Sequence, residues 1–296
     1  MGPMSFLAVT AHPTPTRDLL AAAAVRRGME VAELAGRDGA AALRGRTGGH
    51  YYGGPALASY VAADLGVALL EPTDTWLTEL PQEFTGRAVR QSTVAGARRL
   101  SGPAFVKPPT DKSFPAAVYA DGGALPAAIA PDTPVQIAEV VDWAAEFRLF
   151  VLDGAVRTGS QYATYGRLDT APLAGHHRRD EALDFAGRLL AAHAHTLPGA
   201  VVLDIGLLGG DRAGRWGVVE ANMAWFSTVY AADPAAALDV VLRAAGPADR
   251  LADRDRPFRR ARRDRPKGPG GDSTGPLRDA HRPAGVHRPP VGYERA

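Results

Sequence analysis

The 296-residue chain contains no cysteine, which excludes disulfides, thiolate metal sites and a cysteine nucleophile. It has no apolar run approaching the roughly 20 residues that cross a bilayer as a helix, so no membrane partner is expected. Lysine is almost as scarce, since before residue 250 only Lys107 and Lys112 occur. The short motifs GxxxxGK[ST], GxSxG and HExxH are missing, and no GxGxxG turn follows the first apolar run, so P-loop, nucleophile-elbow, zincin and dinucleotide-fold chemistry have no sequence support. The opening "MGPMSFLAVTAHP" lacks a basic stretch before its short apolar run. It reads as a first buried strand and not as a signal peptide, and a cytoplasmic location is the expectation.

The formal charge of +2 conceals a split: residues 250–296 carry 13 Lys/Arg against 6 Asp/Glu, and residues 1–249 carry 21 against 26. The basic pI thus belongs to the end of the chain. That end holds seven prolines and six glycines and few large apolar residues, too little apolar surface to offset chain entropy. A disordered Arg/Pro/Gly-rich tail is predicted over 247–296, and deleting 250–296 is expected to change thermal stability little. Its aromatics are Phe258 and Tyr293 alone, a poor platform for base stacking, which argues against a nucleic-acid partner. A non-catalytic binding role through this basic segment stands as an alternative function.

The first hundred residues alternate between strand and helix signals. "SFLAVT" (5–10), "MEVAEL" (29–34), "HYYGG" and "VALLEP" (67–72) suit buried strands. Residues 16–28 form a predicted helix with Thr16 as cap and Gly28 as stop, and 55–66 another with Pro55 at its start. This order predicts an α/β domain over 1–100 with a small parallel sheet, its last part (79–100) a connecting helical segment. Thereafter strands dominate: 104–108, 115–120, 134–141, 146–154 and 155–164, the last two joined by an "LDG" hairpin turn. A helix over 178–195 places Leu183, Ala186, Leu190 and His193 on one face. Strands 199–208 and 215–222 pair across a polar turn, and a helix capped by Asp233 ends near Ala245. An α+β domain over 101–246 is therefore predicted.

The chemistry centres on "WGVVEANMAW". Glu220 and Asn222 are two apart on a strand and point the same way, and Asp204 lies on the strand before. Three converging oxygen ligands suit Mg²⁺, which normally completes its shell with phosphate oxygens; the alternative is a polar cap on a strand end. In "FVKPPTDKSF", Lys107 and Lys112 can neutralise phosphate charge, or be solvated surface lysines. In "VQIAEVVDWAAEFRLFVLDG", Glu139 and the backbone at Val140–Val141 can take an adenine edge, while Glu146 and Arg148 share a face; the alternative is an exposed Glu–Arg ladder. His193 and His195 point to different helix faces, and His176-His177 reads as a solvated loop pair.

Taken in order, "FVKP", "VQIAEVV" with Glu146 seven residues past Glu139, and "VVLDIGLL…WGVVEAN" resemble the ATP-grasp superfamily over about residues 103–246. Within it, "KPPTDKSFPAAVY", "AEVVDWAAEFRLFVLDG" and "GSQY" are similar to the clade named for its two arginines and one lysine. The resemblance implies ATP and Mg²⁺ as cofactors. It implies Lys107 on the phosphates, Glu139 and Val141 on adenine, Glu146 on the ribose, and Asp204, Glu220 and Asn222 on the metal. Lys112 and Arg148 would serve the phosphates or the reacting centre. Arg157 would anchor an anionic substrate, with Arg87 and Tyr162 in the same cleft. "PPTDKSFP" departs from the family in lacking the glycines of a phosphate-covering loop, so Lys112 is expected to supply charge there in place of backbone N–H groups. The implied reaction joins a small-molecule carboxylate to an amine, on an amino acid or peptide, through an acyl phosphate; a small-molecule kinase is the alternative on the same scaffold.

Overall fold

The computed structural model describes residues 5–109 and 114–261; Lys112 lies outside them. The chain opens with β1 (Phe6–Thr10), α1 (Pro15–Arg26), β2 (Glu30–Leu34), α2 (Gly36–Ala42), β3 (Gly49–Tyr52), α3 (Pro55–Asp64) and β4 (Val67–Leu69). β2, β1 and β3 form the expected parallel sheet, in that order. Two details differ from expectation. The α1 cap is Thr14, whose side chain accepts from the Arg17 N–H, because Pro15 takes the first helical position and puts Thr16 inside the first turn. β4 stays out of the parallel sheet and pairs antiparallel with β14, described below.

The segment expected as a helical connection holds α4 (Trp76–Glu79), α5 (Gln82–Thr85), β5 (Val89–Thr93) and α6 (Val94–Ala97). Trp76, Leu77 and Phe84 bury their side chains with the second half of the chain. β5, β6 (Ala104–Lys107), β7 (Ala117–Tyr119) and β8 (Pro134–Ala138) make a four-stranded sheet in the order β5-β8-β6-β7. The "VRQST" stretch is a strand because its Val, Ser and Thr pair along β8 from Val89↔Ala138 to Thr93↔Pro134.

The main sheet follows: β9 (Trp143–Leu152), β10 (Ala155–Thr164), β11 (Arg167–Pro172), α7 (Arg179–His193), β12 (Ala200–Leu208), β13 (Trp216–Asn222), α8 (Pro234–Ala244) and β14 (Ala245–Pro247). Its order is β11-β10-β9-β12-β13. The "LDG" turn closes with Asp153 and Gly154 both at positive φ, as a tight two-residue hairpin requires. Alternation along β9 and β12 sends Phe147, Leu149, Val151, Leu203 and Ile205 to one face, where they pack with Phe185 and Leu189 of α7. On the other face Phe150, Ala200 and Val202 join a second core with α8, Trp225 and the first parallel sheet.

Residues 247–261, assigned by composition to the tail, belong to the folded body. A 3₁₀ segment over Asp253–Phe258 buries Asp255 completely, with its carboxylate accepting from the Gly199 N–H at 2.7 Å and from Arg243 at 2.6 Å. Arg259 then bridges to Leu70, and the Arg260 side chain pairs with Glu71 and lies over the Trp225 ring. Composition misjudged the stretch because its anchoring is polar and ionic and does not depend on apolar side chains. Residues 262–296 lie outside the described part of the chain. Among the described residues no helix is long and apolar enough to cross a membrane.

Candidate functional site

One rung across the main sheet carries the polar cluster. Register pairs Ser160 with Arg148, Arg148 with Asp204, and Asp204 with Glu220, so four side chains from four strands share one row and one face. Asn222 and Glu146 stand one alternation away on that face. Bulges adjust what the row presents. On β13 Val219 is the extra residue opposite the Asp204/Ile205 step. On β10 the extra residues are Arg157 and Tyr162. A bulge re-aims the side chains beside it, and the two on β10 have opposite outcomes: Tyr162 is buried against the cluster, whereas Arg157 is half-exposed and 4.0 Å from Asp239 of α8.

The contacts within the cluster are short. Arg148 donates from Nε to Asp204 Oδ1 at 2.8 Å and from Nη2 to Oδ2 at 2.7 Å, and both residues are almost fully buried. Asn222 Nδ2 donates to Glu220 Oε1 at 2.9 Å and to Asp204 Oδ2 at 3.2 Å. Lys107, arriving from the end of β6, donates to Glu220 Oε2 at 2.7 Å. Tyr162 donates its hydroxyl to Glu146 Oε2 at 2.8 Å. Two buried polar atoms of the cluster, Glu146 Oε1 and Arg148 Nη1, have no partner among the described residues. Unpartnered groups of this kind are rare in native interiors and ask for a ligand or water.

Burial and charge set the protonation states. Burial would raise the Glu220 carboxyl, but the Lys107 charge and hydrogen bond, then Asn222 and Arg148, hold it down at about 2. Burial pushes the Asp204 carboxyl above its ordinary range against the Arg148 charge, yet the two-bond fork from Arg148 is one that an ionised carboxylate accepts. Burial acts on Glu146 with less opposition: despite the Tyr162 hydrogen bond it rises to about 7, helped by the negative charges of Asp204 and Glu220. Burial also lowers Arg87 to about 10, against the pull of Glu146, Glu220 and Glu139.

The Glu146 shift has a measurable consequence. A carboxyl whose folded value is raised stabilises the fold below its unfolded value and loses that contribution as pH climbs through the folded one. From the ordinary 4.5 to about 7, the loss is on the order of 3 kcal/mol. Melting curves between about pH 5 and about pH 8 are expected to show the wild type losing stability relative to Glu146→Gln. Parallel curves for the two proteins would show that Glu146 titrates normally.

Beside the cluster opens a small cleft lined by Arg87, Phe105, Lys107, Val118, Glu139, Val140, Val141, Trp143 and Glu220. The segment Glu139–Val141 forms one wall. Glu139 pairs there with Arg212 and accepts from the Ala88 N–H at 3.3 Å, and the Arg212 hydrogen bond holds its carboxyl below the usual range. Arg87 is buried at the side of the cleft. It donates to the Val218 carbonyl at 2.7 Å and the Thr85 carbonyl at 3.0 Å, and its guanidinium lies 5.0 Å from the Trp143 ring centre.

Of the residues singled out from sequence, the structure therefore brings together Lys107, Glu146, Arg148, Asp204, Glu220 and Asn222, with Glu139, Val141 and Arg87 on the adjoining cleft. Glu146 is buried against Tyr162 and not open on the cleft wall. Arg157 is not in the cluster, and Lys112 lies outside the described residues. Sequence reasoning passed over Trp143 and Tyr230; the second sits in a loop without periodicity and carries no local signal. Among the described residues no group of three or more His, Asp or Glu is arranged as a metal cage. Two carboxylates and one carboxamide touching one another are nonetheless hard oxygen donors, a set that fits Mg²⁺ when phosphate completes the shell.

An antiparallel sheet behind a strand-lined cleft, preceded by a small parallel α/β unit, is the architecture of the ATP-grasp fold. The chain belongs to an ATP-grasp domain family, the second family of the clade named for two arginines and one lysine, which it matches over residues 84–240. Solved structures with the same fold include a RimK domain protein ATP-grasp from Sphaerobacter thermophilus, at 17% identity over 80% of this chain and 100% of that chain, with a TM-score of 0.51. D-cycloserine synthetase DcsG matches at 15% identity over 84% and 100%, with a TM-score of 0.52. D-alanine–D-alanine ligase from Bacillus anthracis matches at 11% over 84% and 98%, with a TM-score of 0.50. At these identities the likeness is one of fold. No curated protein matches the sequence.

Proposed function

We propose that this protein couples ATP to the joining of a carboxylate and an amine. The observation that supports it is the row Arg148–Asp204–Glu220, with Asn222 beside it and Lys107 on Glu220, of which Lys107 and Glu220 line a cleft walled by Glu139–Val141. Adenine would lie against Val140–Val141 and Glu139, and Glu146, buried against Tyr162, would not reach the ribose. Lys107 and Arg87 would face the phosphates. Glu220 and Asn222, backed by Asp204, would hold Mg²⁺, which when bound neutralises phosphate charge.

In the reaction a substrate carboxylate oxygen attacks the γ-phosphorus and ADP leaves, giving an acyl phosphate. The amine nitrogen then attacks the acyl carbon, inorganic phosphate departs and the nitrogen loses a proton. Arg148 keeps one buried N–H without a partner for charge developing on the transferred group. No side-chain nucleophile is needed. The similar structures named as a ligase and as a synthetase are consistent with this class, and the identity of both substrates is open to screening. The decisive assay measures ADP release with panels of amino acids and peptides. Release that requires both a carboxylate and an amine supports the ligase; release with a phosphorylated product and no amine requirement identifies a kinase. Glu220→Gln is expected to lower ATP turnover roughly 100-fold with an unchanged circular-dichroism spectrum, and an undiminished rate would remove Glu220 from the site.

A further inference from the structure

Tyr230 stands eight residues beyond Asn222 in the loop before α8, half-buried, with a backbone φ of +51°. Large side chains rarely adopt the left-handed region, and such outliers persist only where the surroundings over-determine them. Here they do. The N–H of Val229 donates to Thr16 Oγ1 at 3.1 Å, and that of Ala231 to Ser160 Oγ at 3.2 Å. Both hydroxyl residues are buried, and one comes from α1 while the other belongs to the rung that carries Arg148. The strained residue is thus pinned on both sides, from two different parts of the chain.

What the pins hold is an aromatic wall. The Tyr230 ring stacks on Tyr162 with centres 5.3 Å apart and planes 13° apart. The Arg148 guanidinium carbon lies 5.3 Å from the Tyr230 centre and 5.6 Å from the Tyr162 centre, within reach of a cation–π interaction with each. Asp204 occupies Nε and Nη2 on another side, leaving Nη1 as the unpartnered donor. We propose that Tyr230 is a positioning residue: its ring, locked by the strained backbone, fixes the Arg148 guanidinium so that its free N–H is presented in one orientation to an anionic group bound beside the row. The proposal rests on the ligase reading for the identity of that anion, but not for the geometry.

The test therefore uses a readout that needs no substrate. In full-length protein labelled with ¹⁵N, the Arg148 Nε–H resonance is assigned by its absence from Arg148→Lys. Its exchange with water is expected to be slow in wild type and in Tyr230→Phe. It should speed up at least about tenfold in Tyr230→Leu and Tyr230→Gly, the change corresponding to one lost cation–π contact. Tyr230→Gly also relieves the backbone, so it is expected to melt no lower than Tyr230→Leu. Thr16→Val and Ser160→Ala, which each remove a pin, should move the exchange in the same direction. With Mg·ATP, kcat should fall about tenfold in the Leu and Gly variants while KM for ATP stays within about twofold. Unchanged Arg148 exchange in the Leu and Gly variants, or a Phe variant that behaves like Leu, overturns the proposal. A protein that shows the exchange effect but makes no amide would instead refute the ligase reading and leave the positioning role intact.

Discussion

Arg148→Met is expected to unfold some 6–20 °C below the wild type and to turn over no ATP. The substitution keeps most of the side-chain volume but leaves the Asp204 carboxylate, 1% exposed, without its countercharge. Breaking one side of a buried ion pair costs about 3–5 kcal/mol, and each kcal/mol moves the melting point of a body this size by about 2–4 °C. The penalty depends on pH in a stated direction. With Arg148 gone, the Asp204 carboxyl lies further above its unfolded value, so its ionisation opposes folding and the variant should recover stability as the pH is lowered toward about 4, where the recovery is complete. The double variant Arg148→Met/Asp204→Leu separates stability from chemistry. A well-packed apolar pair is often as stable as the ion pair it replaces, so most of the melting temperature is expected to return while turnover does not. Asn222 loses one acceptor in the double variant but keeps Glu220. An Arg148→Met protein that melts within about 2 °C of wild type would mean the pair is not buried in solution.

The same ion pair marks where sequence reading works and where it stops. Alternation alone puts Glu146 with Arg148, and Glu220 with Asn222, on common faces, and both pairs are found there because pairing with β12 is unbroken from Glu146 to Arg148 and from Glu220 to Asn222. Strand existence was equally plain for β1, β2, β10 and β12, whose apolar runs end at glycine or turn residues. Which strand lies beside which is a tertiary matter. The row from Ser160 to Glu220 depends on β12 pairing with both β9 and β13, and no local pattern states that Asp204 faces Arg148. Bulges are the second blind spot. A single extra residue on β10 turned Tyr162 toward Glu146, and another placed Arg157, a proposed substrate anchor, beside Asp239 instead. Neither bulge residue is a glycine, and Gly159 between them marks the strand as irregular without saying which residues bulge. Tyr230 illustrates a third: its backbone conformation is imposed by Thr16 and Ser160, more than 200 and 70 positions away in order, so its own neighbours could not announce it.

Composition failed in the opposite direction at the end of the folded body, and the error is open to a direct stability test. A chain ended after Pro247 is expected to be far less stable than one ended after Ala261. The residues between them supply Asp255, fully buried, which satisfies the Gly199 N–H at the start of β12 and the Arg243 guanidinium of α8. They also supply the Leu70–Arg259 bridge, the Glu71 N–H bond to the Phe258 carbonyl at 2.9 Å, and the Arg260 pairing with Glu71 over Trp225. Removing them uncovers one buried N–H and unpairs two partly buried charges, each an effect of about 1–3 kcal/mol. The sum is on the order of the 5–15 kcal/mol that holds an ordinary domain together. Consequences should reach the site, because Trp225 follows Asn222 by three residues and is held between Leu70, at 2.9 Å from its indole nitrogen, and Arg260. Asp255→Asn is the finer probe: it keeps an acceptor for Gly199 but drops the charge opposite Arg243, and should lower the melting point by less than Asp255→Ala. Equal melting temperatures for the two shortened chains would show that residues 248–261 contribute nothing to the fold and that the polar anchors seen here are not made in solution.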